Sequence, residues 1–196
     1  WQVTVAVHAG HFVNGIWPKY KEAIFGLAVD VGSTTLSAQL CNLKTGEVIA
    51  SAGTMNPQIR FGEDLMSRVS YLMMNPGETI NMAHEVRTAI NYLAAQTTNE
   101  IGSDPSNIMD VVLVGNPIMH HLLLGIDPTE LGGAPFALAT DKAINTTAEE
   151  LDLYFYPTAT VYILPCIAGH VGADTAAVIL AYNPMSTKEM TLIIDI

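Results

Sequence analysis

The chain has 196 residues, is 49% hydrophobic and 14% charged, and sets eight Lys and Arg against nineteen Asp and Glu for a formal net charge of −11. Disorder requires low hydrophobicity with high charge, and a membrane helix requires roughly 18 to 20 successive apolar residues, so a mean hydropathy of +0.31 without such a run describes a globular chain with much to bury. Eight cations in an acidic chain cannot neutralise many phosphates, which excludes a nucleic-acid surface.

In chain order, residues 2–7 alternate like a strand and residues 8–25 read as an irregular connection. Residues 27–31 form a short apolar run of the kind that fills a central strand. Residues 36–43 alternate, Lys44-Thr45-Gly46 makes a turn, and residues 48–52 return, which predicts an antiparallel meander. Residues 62–74 place Leu65, Val69 and Leu72 on one helical stripe. Asn75-Pro76-Gly77-Glu78 reads as the cap, proline and acid that open a second helix, with Ala83, Val86, Ile90, Leu93 and Ala94 inward. A buried strand at 111–114 runs into Gly115-Asn116-Pro117, a short helix covers 118–124, and Asp127-Pro128-Thr129-Glu130 repeats the cap signature. Residues 133–158 are the least regular, 160–164 form a buried strand, 169–181 read as a small-residue helix, and 191–196 begin another strand. The fold class is α/β, a three-stranded meander continued by parallel strands with flanking helices.

Chemistry concentrates at Asp30-Val31-Gly32-Ser33-Thr34-Thr35, where an acid ends a buried strand and a glycine with three hydroxyl residues turns into the next. The N–H groups of such a turn, with the hydroxyls, can cradle a phosphate. Asp30 can hold Mg²⁺ through water, since a hard cation keeps several waters and takes oxygen ligands. No lysine follows the glycine, so this is not a Walker loop. Leu192-Ile193-Ile194-Asp195-Ile196 repeats the apolar strand ending in an acid, and between the two lies a glycine-bearing segment in which Gly172 allows close backbone approach and Asp174 can reach a metal or orient water.

Other polar groups have plainer readings. Asn56, Arg60, Glu63 and Asp64 either line a cleft or serve a helix N-terminus. The adjacent His120 and His121 face different directions and make a poor metal pair, and Gly10 separates His8 from His11, which argues against zinc. Asn116 reads as a helix cap. The chain's two cysteines, Cys41 and Cys166, lie far apart in apolar segments, which suits reduced thiols in a cytoplasmic protein.

The Asp30–Thr35 turn, the glycine segment before Asp174 and the second strand ending at Asp195 resemble the actin-like ATPase superfamily of sugar kinases, heat-shock chaperones and actin. The longer strings Asn56-Pro-Gln-Ile-Arg-Phe-Gly-Glu-Asp64, Val114-Gly-Asn-Pro-Ile-Met-His-His121 and Ile167-Ala-Gly-His-Val-Gly-Ala-Asp174 are similar to the reductive activators of corrinoid proteins. The resemblance implies a ribonuclease H-like lobe, with residues 1–25 ending an upstream linker, 26–190 forming the first lobe and 191–196 starting a second. It implies an ATP-dependent transfer of one electron to cobalt(II) of a corrinoid protein, restoring cobalt(I), with a [2Fe–2S] cluster in an N-terminal domain outside this chain. In the site it implies Asp30 and Asp174 as catalytic residues, Gly32, Ser33, Thr34, Thr35, Gly172 and Asp195 at the phosphates, and Mg²⁺ at Asp30. The chain opens at Trp1 and closes inside an apolar run at Ile196, which predicts a piece of a longer protein that self-associates, even as a homodimer. A docking or dimerisation module and a small-molecule kinase of the same superfamily are the alternatives.

Overall fold

The computed structural model describes residues 2–186 and 190–192. It opens with a hairpin, β1 (Val3–His8) against β2 (Phe12–Pro18), paired from Val3↔Pro18 to His8↔Phe12. This corrects the irregular reading of residues 8–25. Ala9 at φ 50° and Gly10 at φ 78° both occupy the left-handed region, and two such residues in succession give the turn whose twist matches a hairpin. An alanine carries no sequence signal for that conformation. Trp17 packs at a tilt against Tyr156, with ring centroids 5.3 Å apart, and Thr158 donates to the Asn14 carbonyl, so the hairpin is fastened to the main body.

In β3 (Phe25–Val31) alternate side chains face inward: Phe25, Leu27, Val29 and Val31 are buried, while Ala28 and Asp30 are exposed. β3 pairs antiparallel with β4 (Thr35–Asn42), which pairs antiparallel with β5 (Val48–Met55). On its other side β3 pairs parallel with β6 (Ile108–Gly115). The predicted irregular stretch at 133–158 contains an edge strand, β7 (Ile144–Thr147), antiparallel to β8 (Thr160–Ile163), which runs parallel to β6. The sheet order β5-β4-β3-β6-β8-β7 puts the first strand of the meander beside the parallel strands. That is the ribonuclease H-like arrangement, with β7 added at the edge.

α1 (Leu65–Met74) packs on the short 3-10 segments Pro57–Phe61 and Thr129–Gly132, α2 (Thr79–Glu100) covers one face of the sheet, and α3 (Pro117–Leu124) packs on α2 and β6. Met82, Val86, Ile90 and Leu93 of α2 share the core with Leu36, Ala38 and Leu40 of β4, and the three-to-four-residue spacing is what seats a helix on a sheet. Asn75 does not open α2. It closes α1, its N–H donating to the Tyr71 and Leu72 carbonyls, and α2 begins only after Glu78, without a side-chain cap. The Asp127 signature is partly realised: Asp127 Oδ1 accepts from Thr129 N, but the segment is a short 3-10 helix, Thr129–Gly132. α4 (Ala173–Tyr182) starts four residues later than expected, because residues 168–171 close a tight bridge between Ala168 and Val171. The strand expected at 191–196, with Asp195, falls largely on residues outside those described, and residues 190–192 carry no regular structure. Among the described residues no helix is long and apolar enough to cross a membrane.

Candidate functional site

Val31 pairs with Gly115, so β3 and β6 end side by side in parallel register. Ligands of open α/β sheets gather at such carboxyl ends. From Val31 the chain turns sharply through Gly32 to Thr35, where a Cβ on Gly32 would lie 2.4 Å from the Thr35 carbonyl oxygen. No side chain fits there.

The direction of the turn's peptides is set from behind. The Gly32 carbonyl accepts from Asn56 Nδ2 at 2.8 Å, the Ser33 carbonyl from Arg68 Nη2 at 2.5 Å, and the Thr34 carbonyl from Asn56 N at 2.8 Å. Asn56 and Arg68 are buried, at 1% and 0% exposure. In a trans peptide the N–H points opposite to the carbonyl of the same plane. The N–H groups of Ser33, Thr34 and Thr35 therefore face away from the buried donors, as an anion-binding turn requires.

The opposite wall is built by α3 and α4. Asn116 follows β6 and caps α3, its Oδ1 accepting from Met119 N at 3.0 Å. A Cβ on Gly172 would lie 2.6 Å from Asn116 Cα and 2.7 Å from the Gly115 carbonyl, so only glycine lets the start of α4 dock against this junction. That contact places Asp174, half-buried in the first turn of α4, beside the turn, with Oδ1 accepting from Thr175 N at 2.6 Å. Asp30, Gly32, Ser33, Thr34, Thr35, Asn116 and Asp174 together line an open cavity of about 480 Å³. All the sequence-predicted site residues within the described chain meet here, with Gly172 supporting the wall rather than lining it; Asp195 lies outside the described residues. Asn116, read only as a cap, is also a lining residue.

The donor set fits a magnesium phosphate. Two carboxylates at the mouth, Asp30 and Asp174, offer hard oxygen ligands for the cation, while hydroxyls and inward-turned carbonyls leave N–H groups for the anion. Other candidates separate from it. Arg60 forms an exposed ion pair with Glu85 at 2.7 Å, and Asp64 caps α1, where hydrogen bonds from the Ser67 N–H and hydroxyl hold its carboxyl below the usual range. His121 donates from Nδ1 to the Pro117 carbonyl at 2.7 Å and accepts at Nε2 from Ala139 N at 3.0 Å, so it is a structural pin between α3 and the following loop. Burial pushes the Cys166 thiol up to about 11, which leaves it unreactive, and among the described residues no cluster of three His, Cys, Asp or Glu can hold a metal. Sequence reasoning missed Arg68. Its signal was positional: it lies three residues after Leu65 and four before Leu72, on the apolar stripe of α1.

Fold and site define a mixed α/β lobe with a glycine-hydroxyl turn lining an open cavity where its parallel strands end. Residues 25–187 match the family described as the RACo middle region, and the chain belongs to that family. It is 31% identical over 193 residues to the corrinoid activation enzyme RamQ of Eubacterium limosum, across 98% of this chain and 32% of that protein. The solved structure of a reductive activator for corrinoid, iron-sulfur protein superposes with a TM-score of 0.87 at 33% identity, over 95% of this chain and 30% of that one. The chain thus spans about a third of the length of these relatives.

Proposed function

We propose that this chain is the nucleotide-responsive lobe of an ATP-dependent reductive activator, which restores cobalt(I) in a corrinoid protein by driving one electron onto cobalt(II). The observation that carries the reading is the Gly32–Thr35 turn, its three carbonyls held inward and Asp174 across the cavity. The corrinoid partner is suggested by the relatives, a corrinoid activation enzyme and a reductive activator for corrinoid, iron-sulfur protein. Reducing cobalt(II) is uphill, so the nucleotide has to bias two conformations, and it does so only by binding them with different affinities.

In this reading Gly32, Ser33, Thr34 and Thr35 bind phosphate, Asp30 and Asp174 hold Mg²⁺ through water, and Asp195 belongs to a second turn. Mg²⁺ supplies neutralising charge at the phosphates. Residues 1–25 end a linker, 26–190 form the lobe and 191–196 begin the next. With two cysteines the chain falls short of the four thiolates of a ferredoxin-type cluster, so the electron arrives from a [2Fe–2S] domain elsewhere in a cytoplasmic protein. Replacing Asp30→Ala together with Ser33→Ala in the complete protein is expected to abolish ATP turnover and ATP-driven cobalt(II) reduction, followed by the corrinoid absorbance. Unchanged rates of both would overturn the assignment.

A further inference from the structure

Arg68 is fully out of water, and among the described residues no other Lys, Arg, Asp or Glu is buried. Its hydrogen bonds go to neutral acceptors: Nε to the Gly62 carbonyl at 3.0 Å, Nη1 to Met119 Sδ at 3.1 Å and Nη2 to the Ser33 carbonyl at 2.5 Å. The ion pairs among the described residues are Arg60–Glu85 and Arg87–Asp152, so none of the described carboxylates lies at ion-pair distance from this guanidinium, and Asp64, at the start of α1, attracts it only without a direct contact. A buried charge without a directly paired counter-charge is destabilising, and an apolar side chain at this position of α1 would avoid that penalty. The guanidinium instead reaches the one peptide whose N–H, that of Thr34, sits in the middle of the turn. Beyond the distant pull of Asp64, a closer anion has its place on the far side of that peptide.

We propose that Arg68 is a positioning residue for a phosphate-bearing ligand: it fixes the Ser33–Thr34 peptide with its N–H toward the cavity, and its charge is balanced when a phosphate occupies the turn. Asn56 shares the first task through the Gly32 and Thr34 carbonyls but has no charge to contribute. The inference rests on the phosphate reading of the turn. It adds that the anion is selected partly from behind, by a cation that never touches it.

The test uses the complete protein carrying Arg68→Met, Arg68→Lys or, as a stability control, Val69→Ala, a buried neighbour in α1 that makes no bond to the turn. Mg-ATP affinity is measured by calorimetry. Arg68→Met is expected to raise Kd about tenfold, with Arg68→Lys recovering part of the loss and Val69→Ala staying within about twofold. An Arg68→Met Kd within twofold of wild type, or an equal loss in Val69→Ala, overturns the proposal. If Arg68→Met does not fold, nitrogen NMR of the wild-type protein decides. Mg-ATP should move the Arg68 Nε resonance together with the amides of Ser33 and Thr34. Moving amides with a stationary Nε would refute the role of Arg68 alone, whereas wild-type protein that neither binds Mg-ATP nor shifts those amides would refute the phosphate reading itself.

Discussion

His120 shows how a single residue can be polar in type and apolar in effect. It is 2% exposed, and burial, with the His121 ring beside it as a lesser cause, pushes its pKa from 6.5 down to about 4. The folded protein therefore keeps this ring neutral where the unfolded chain would protonate it. The unfolded state binds more protons between pH 6.5 and 4, so stability falls as pH falls through that window, and the contribution is fully present only above pH 6.5. A shift of that size corresponds to about 3 kcal/mol. Urea unfolding at pH 7.5 and 4.5 should show a loss on acidification that shrinks by roughly 2 to 3 kcal/mol in His120→Leu. An equal loss in both proteins would remove His120 as its source. His121 is shifted in the same direction, also mainly by burial, so some acid sensitivity remains in the variant.

At the scale of elements, the junction of β6, α3 and α4 shows which signals are local. α3 was legible in detail because its boundaries are written in adjacent residues: Asn116 caps it, Pro117 opens it, and Gly125 at φ 73° closes it. Asn75-Pro76-Gly77-Glu78 carried the same kind of signature and misled, because α1 extends to Met74 and takes Asn75 as its C-cap. A cap motif reports a helix boundary without saying which of two abutting helices owns it. α4 depends on tertiary contact at Gly172. Gly172→Ala would force its Cβ into Asn116 Cα and the Gly115 carbonyl, both backbone, so the helix start must move. The expected result is a destabilisation of about 1 to 3 kcal/mol in chemical denaturation, accompanied by loss of Mg-ATP affinity as Asp174 swings from the turn. Retained stability and affinity together would show that α4 does not depend on this contact.

At the scale of the whole molecule, the excess hydrophobicity is only partly a core. α2 and its partners bury a continuous cluster on one face of the sheet, but Val178, Leu180 and Tyr182 of α4 are 43%, 75% and 62% exposed. The hairpin adds Val3, Val5, Val7, Phe12, Val13 and Ile16, all exposed. Apolar groups spread over two such regions favour contact with another surface. The isolated chain is expected to self-associate, with a sedimentation coefficient that rises with concentration. A single species unchanged over a wide concentration range would count against it.

The sequence by itself determined the meander, the parallel strands, the stripe of α2 and the acid-glycine-hydroxyl turn. Each is encoded over a few neighbouring residues, in period-two or helical burial and in turn chemistry. It also determined the family, through strings long enough to be specific. Only the tertiary structure decided what makes the turn a site. Asn56 lies 24 residues from Gly32, Arg68 lies 35 from Ser33, and Asn116 and Asp174 come from the ends of other elements. Local sequence puts Arg68 on the apolar stripe of α1 but does not say which peptide its guanidinium holds. A peptide's direction is set by whichever donor packs behind it, and that donor is chosen by the fold.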